Sequence, residues 1–157
     1  MQFSIGCEYA VHGLLFLAMR DPEEVVLVNE IARAQNLPES YLAKVFQSLA
    51  KAGLLKSFRG ARGGYMLAMP PEKITLRDVA IAVEGKTPLF TPLSEKRDCQ
   101  LAPDCIIRQT FAKAEKSMFR ELEKVTLQAM VDKANLSREK LKWLDSSKKY
   151  IKAELNE

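Results

Sequence analysis

Apolar positions recur along the chain at two different periods, and the changes of period divide it into elements. From about Cys7 to Met19, Val11, Leu14, Leu15 and Ala18 return at spacings of three and four, which predicts a helix. "RDPEE" ends it, because Pro22 and the charges around it favour a loop. The β-branched run "VVLV" then passes into a second helix from near Asn29 to near Asn36. A third helix starts around Pro38 and Ser40. It buries Leu42, Val45, Phe46 and Leu49 and stops with Gly53 at C′.

After Gly53 the pattern shifts to short strands. "LLKSF" and "GYMLAM" flank a tip carrying Gly60, Gly63 and Gly64, which predicts a β-hairpin. Two helices joined by a tight turn and followed by such a hairpin make a winged helix-turn-helix. "TLRDVAIAVEG" is a further helix, with Thr75 and Asp78 spaced as a capping box and Gly85 at its end. From Lys86 to Asp104 the periodicity vanishes, and Pro88, Pro92 and Pro103 indicate a long loop.

A stripe of Ile106, Ile107, Thr110, Phe111, Ala114, Met118, Phe119 and Leu122 follows, on a helix from about Cys105 to Lys124. It fits a dimer helix and equally a helix packed on its own domain. A short helix capped by Thr126 comes next. The charged tail is helix-prone, with Leu141, Leu144 and Ile151 as anchors. The expected fold is therefore mainly α: a winged helix-turn-helix with a long dimerisation helix. Residues 1–85 would form the DNA-binding domain and 86–104 a loop. Residues 105–134 would supply the dimerisation helix and a short following helix, and 135–157 a charged tail.

Composition narrows the class. With 157 residues, 47% hydrophobic and 28% charged, the chain can bury a core, which argues against global disorder. The apolar run "GLLFLAM" is too short to span a bilayer, and no secretory leader is read at the N-terminus. A cytoplasmic protein without a membrane partner is expected. The net charge of +4 says little as an average. Its distribution says more. Between Ser40 and Pro71 stand Lys44, Lys51, Lys56, Arg59 and Arg62, and no acidic residue. A local basic block in a nearly balanced chain suits a phosphate-tracking surface, although a solvated basic face would look the same. In a helix-turn-helix the second helix offers its N-terminal side chains to base edges, here Ser40, Tyr41 and Lys44. Arg59 and Arg62, on a glycine-rich hairpin, can reach a minor groove or the backbone.

Candidate chemistry lies elsewhere. His12 is the one histidine, and Glu8 precedes it by four residues, so the two share a helical face. Cys99 and Cys105 sit in "CQLAPDC", and Cys7 stands beside Glu8. An odd number of cysteines argues against a disulfide framework. Thiolates and an imidazole suit iron–sulfur or zinc sites, but the cysteine spacing matches no zinc knuckle. From spacing alone, Cys99 and Cys105 could equally be unligated thiols, and Glu8 with His12 a hydrogen-bonded pair. Cys7 reads as a small helix-start residue. With a single histidine no Ser–His–Asp arrangement can form. "RGARGG" lies on a hairpin where a P-loop needs a strand-to-helix turn, so an enzyme is not expected.

Three stretches carry a family resemblance: "CEYAVHGLLFLA", "SYLAKVFQSLAKAGLLKSFRGARGGYMLAMPPEKITLRDVAIAVEG" and "CIIRQTF". Together they resemble the Rrf2 family of bacterial transcription regulators over roughly Met1 to Lys133. The resemblance implies a homodimer with two winged helices and a crossed pair of long helices on a palindromic operator. It puts Ser40, Tyr41 and Lys44 at base- and phosphate-contacting positions and Arg59 at the minor-groove position of the wing. Ala43 stands where IscR-type members carry a carboxylate, so the operator would differ. Cluster-binding members place cysteines in the loop before the dimer helix. Cys99 and Cys105 match two of these, and Leu93 stands near the place of a third. "CEYAVH" is similar to the first-helix segment of the RsrR type, where Glu and His of one subunit and two cysteines of the other hold a 2Fe–2S cluster. Carried over, the ligands would be Glu8, His12, Cys99 and Cys105, with Cys7 as a spare candidate beside Glu8. The implied function is a redox-, iron–sulfur- or nitrosative-responsive repressor. The alternative is a cluster-free regulator of the same family that answers to thiol oxidation or to a protein partner.

Overall fold

The computed structural model describes residues 3–60, 63–86, 88 and 105–136. Helix α1 (Ile5–Ala18) lies at the centre. Two of its residues are glycines, poor helix formers, so packing rather than propensity holds it. Ala10, Leu14, Leu15, Phe16 and Leu17 are all buried. At Gly13 a Cβ would come 2.5 Å from the Phe46 ring, so the missing side chain sets how closely α1 meets the third helix.

Helix α2 (Val28–Ala34) and helix α3 (Glu39–Lys51) pack against each other as a helix-turn-helix. Asn36 takes φ +54 in the turn between them. The buried stripe of α3 is Leu42, Val45, Phe46 and Leu49, as its periodicity predicts. Gly53, at φ +80, follows the helix end. Strands β1 (Leu55–Phe58) and β2 (Gly64–Leu67) pair antiparallel with Leu55 opposite Leu67 and Phe58 opposite Gly64. The β-branched run before α2 adds a third position to this sheet. Val26 and Tyr65 exchange both backbone hydrogen bonds, at 2.9 and 2.8 Å. Gly64 has φ +153, and a Cβ there would lie 2.5 Å from the Val26 carbonyl oxygen. Only glycine permits that approach.

A 3₁₀ turn (Pro71–Lys73) leads to helix α4 (Leu76–Glu84). The expected capping box is present. The Asp78 amide donates to Thr75 Oγ1 at 3.2 Å, and the Thr75 amide donates to Asp78 Oδ2 at 2.9 Å. Helix α5 (Ile106–Glu123) and helix α6 (Leu127–Leu136) complete the described residues. The Leu76 amide donates to the Val125 carbonyl and the Leu127 amide to the Ile74 carbonyl, which ties the starts of α4 and α6 together.

The stripe on α5 divides. Met118, Phe119 and Leu122 are half-buried, and Arg77 of α4 lies over the Phe119 ring at 5.9 Å while reaching Glu123 at 3.4 Å. Toward the other end Ile106 is 76% and Ile107 55% exposed. One half of the helix packs on its own domain and the other presents an apolar face. No described helix is long and apolar enough to cross a membrane. The segment 89–104, with Cys99 in it, the hairpin residue Arg62 and the tail anchors Leu141, Leu144 and Ile151 lie outside the described residues.

Candidate nucleic-acid interface and sensor pocket

Ser40, Tyr41 and Lys44 are all exposed on α3. They centre on a face turned roughly 140° from its buried stripe. Arg59 is exposed at the start of the hairpin turn, which the Gly63 amide closes onto the Gly60 carbonyl at 2.9 Å. Tyr41 also faces inward. Its ring meets Tyr9 of α1 edge-on, with centroids 5.8 Å apart. Its hydroxyl lies where a Cβ on Gly6 would be only 3.2 Å away. The start of α3 therefore rests on the first two turns of α1. Sequence reasoning missed this contact, because nothing in "CEYAVH" or "ESYLAK" marks aromatic partners thirty residues apart.

Glu8 and His12 both border a cavity of about 270 Å³. Its remaining walls include Val11 of α1, Leu76, Val79 and Ala80 of α4, and Leu122 of α5. Glu8 is exposed and His12 half-buried, so a carboxylate and an imidazole stand together at the edge of an apolar hollow. Two such donors on one face make half of a ligand set for iron or zinc. Cys105 is elsewhere. It is half-buried at the N-cap of α5, seventeen residues before Leu122. At 1.5 Å per residue that is about 25 Å along the helix from the cavity wall. Among the described residues no three His, Cys, Asp or Glu side chains gather at a metal-sized site. The structure thus brings Glu8 and His12 together and holds Cys105 of the same chain apart from them.

Cys7 has a different job. Its thiol donates to Glu84 Oε1 at 3.2 Å, and the same oxygen accepts from the Ser4 amide at 2.8 Å and the Ser4 hydroxyl at 2.7 Å. Burial, then the hydrogen bond to Glu84 and its charge, pushes the Cys7 thiol up to about 12. It stays protonated at neutral pH, which makes it a slow nucleophile. Glu84 is shifted the other way, chiefly by the Ser4 hydroxyl, and remains a carboxylate. It ties the first turn of α1 to the last residue of α4, with its charge beside the positive end of α1. No sequence signal links Ser4 and Glu84 across eighty positions.

A helix-turn-helix with its basic second helix, a two-stranded wing and an arginine at the wing turn define a winged-helix regulator. The chain belongs to the Rrf2 family, described as "Iron-dependent Transcriptional regulator", whose pattern it matches over residues 3–133. It is 33% identical over 138 residues to the HTH-type transcriptional regulator NsrR of Geobacillus kaustophilus, covering 87% of this chain and 94% of that one. Among solved structures it superposes on CymR, the global cysteine regulator of B. subtilis, with a TM-score of 0.65 at 29% identity, covering 84% of this chain and 97% of that one. On T. potens IscR the TM-score is 0.62 at 31% identity, with 85% and 88% covered. The protein is thus a transcriptional regulator of mainly helical, winged-helix fold.

Proposed function

We propose that the protein is a homodimeric repressor whose hold on a palindromic operator depends on a 2Fe–2S cluster shared between subunits. Ser40, Tyr41 and Lys44 enter the major groove, and Arg59 and Arg62 take the adjacent minor groove. Glu8 and His12 of one protomer face Cys99 and Cys105 of the partner subunit across the interface. The observation that carries this reading is the separation within one chain. Cys105 lies about 25 Å along α5 from Leu122 in the wall of the Glu8–His12 cavity, so it meets these donors only from a second copy. The apolar half of α5, with Ile106 and Ile107 exposed, supports a second copy. When bound, such a centre supplies one-electron redox chemistry beside α1.

The chain's own residues connect that place to DNA. Glu8 and His12 are held by α1, and α1 touches α3 through Tyr9 on Tyr41 and through Gly13 under Phe46. A shift of α1 reaches the start of the reading helix through side chains in direct contact. A change in the spacing of two half-sites is enough to lose an operator.

A second reading keeps the regulator and omits the cluster, leaving thiol oxidation or a protein partner as the signal. The likeness to CymR, described as a cysteine regulator, favours it. Cys7, held protonated, is a poor candidate for its thiol.

Purification without oxygen, followed by iron and acid-labile sulfide analysis and a visible spectrum, separates the two. The proposal expects coloured protein with iron and sulfide in equal amounts, and an altered spectrum for His12→Ala. Colourless protein that binds duplex DNA at full strength contradicts it.

A further inference from the structure

A second hollow, of about 410 Å³, opens between the end of α1 and the base of the wing, and it shares no residue with the Glu8–His12 cavity. Leu17 and Ala18 line one side, and Met66, Leu67, Met69 and Pro71 the other. Leu17 is buried and both methionines are half-buried, so the walls are apolar, with thioether side chains that adapt to what they meet. The rim is acidic. Asp21, Glu24 and Glu72 stand there, with Arg20 as the cation among the lining residues. Arg20 is committed within the fold. It bonds Glu24 at 3.4 Å and Glu30 at 2.6 Å and lies 4.8 Å from the centre of the Phe16 ring. Asp21 and Glu72 are exposed. An occupant that suits such a hollow is apolar at its centre and cationic at its edges.

The chain carries such a segment. Leu136, at the end of α6, is followed by 21 residues that lie outside the described ones. Among them "SSKKYIKA" sets Tyr150 and Ile151 between Lys148, Lys149 and Lys152 with no acid. The reach is sufficient. Helix α6 packs on α1 and on the 3₁₀ turn that holds Pro71 and Glu72. The Leu127 amide donates to the Ile74 carbonyl at 2.8 Å, and Leu136 stands nine helical residues on, about 14 Å away. Pro71 therefore lies within about 30 Å of Leu136. The fourteen residues from there to Tyr150 span about 46 Å when extended.

We propose that the segment around Tyr150 and Ile151 folds back into this hollow, with Lys148, Lys149 and Lys152 against Asp21, Glu24 and Glu72. Docked there, it braces the base of the wing against the end of α1. The docking is independent of the cluster and of the DNA contacts proposed above.

The test is carbodiimide cross-linking of the full chain, which joins a lysine amine to a carboxylate in contact with it, read by peptide mass spectrometry. Unlabelled and nitrogen-15 protein are mixed and allowed to exchange subunits first, so that a link within one chain differs in mass from a link between chains. Links within one chain should join Lys148, Lys149 or Lys152 to Asp21, Glu24 or Glu72. Tyr150→Ala combined with Ile151→Ala should lower their yield roughly tenfold, because the apolar anchor is lost and the charges remain. Tyr150→Phe with Ile151→Leu keeps the anchor and should stay within about twofold of the parent. An undiminished yield in the alanine variant overturns the proposal, as does the absence of these links in the parent. Links found only between chains make the occupant a second copy's tail and overturn it as well. So do tail lysines that form no link and are shielded from acetylation only by added generic duplex, which would make the segment a DNA-binding arm.

Discussion

Glu84 shows how one side chain joins two elements that the sequence keeps far apart. Its carboxylate takes three hydrogen bonds from Ser4 and Cys7, and no local pattern announces them. The sign of its pH dependence follows. Its folded carboxyl lies below the ordinary value of 4.5, first because of the Ser4 hydroxyl. Its contribution to stability is therefore complete above about pH 4.5 and is lost as pH falls through the lower folded value. Glu84→Ala should melt earlier than the parent at pH 7, by about 1 kcal/mol, the usual net worth of a hydrogen bond. Near pH 3 the gap should narrow; an equal gap at both values would contradict this. For Cys7 the sign reverses. Its protonated form is favoured up to about 12, so its contribution holds below pH 9 and fades above it. Iodoacetamide at pH 8 should leave Cys7 unmodified in the folded protein by mass spectrometry, and Glu84→Ala should speed its labelling.

At the scale of elements, what was legible is what is local. The capping box at Thr75, the Thr126 cap, the α3 stripe and the helix stop at Gly53 each rest on neighbours within one turn, and all four are present. The Val26 bridge to Tyr65 and the division of the α5 stripe were not legible, since periodicity records a face and not what covers it. Phe46 concentrates the consequences. It is fully buried, meets Tyr65 edge-on and fills the space left by Gly13. Phe46→Ala should cost about 3–5 kcal/mol in denaturant unfolding. The exposed half of α5 gives a different outcome. If the proposed dimer forms through it, Ile107→Asp should leave the melting of the monomer fold nearly unchanged and shift sedimentation from dimer to monomer. A dimer of undiminished strength would show that the interface lies elsewhere.

For the whole molecule, the sequence offered Glu8 and His12 as a pair and two cysteines as another, without saying whether they belong together. The structure answers for one chain only: a helix of eighteen residues keeps Cys105 from the cavity that Glu8 and His12 border. If the four donors form one site, Cys105 enters it in trans, and that is measurable. A protomer carrying His12→Ala is paired with one carrying Cys105→Ser, and the mixed dimer is isolated anaerobically by two affinity tags. In trans, one of its two sites keeps Glu8 and His12 from the second protomer and both cysteines from the first. The mixed dimer should then hold about half the acid-labile sulfide and visible absorbance of the parent, while each pure variant holds far less. A mixed dimer as colourless as the two pure variants would contradict the shared centre.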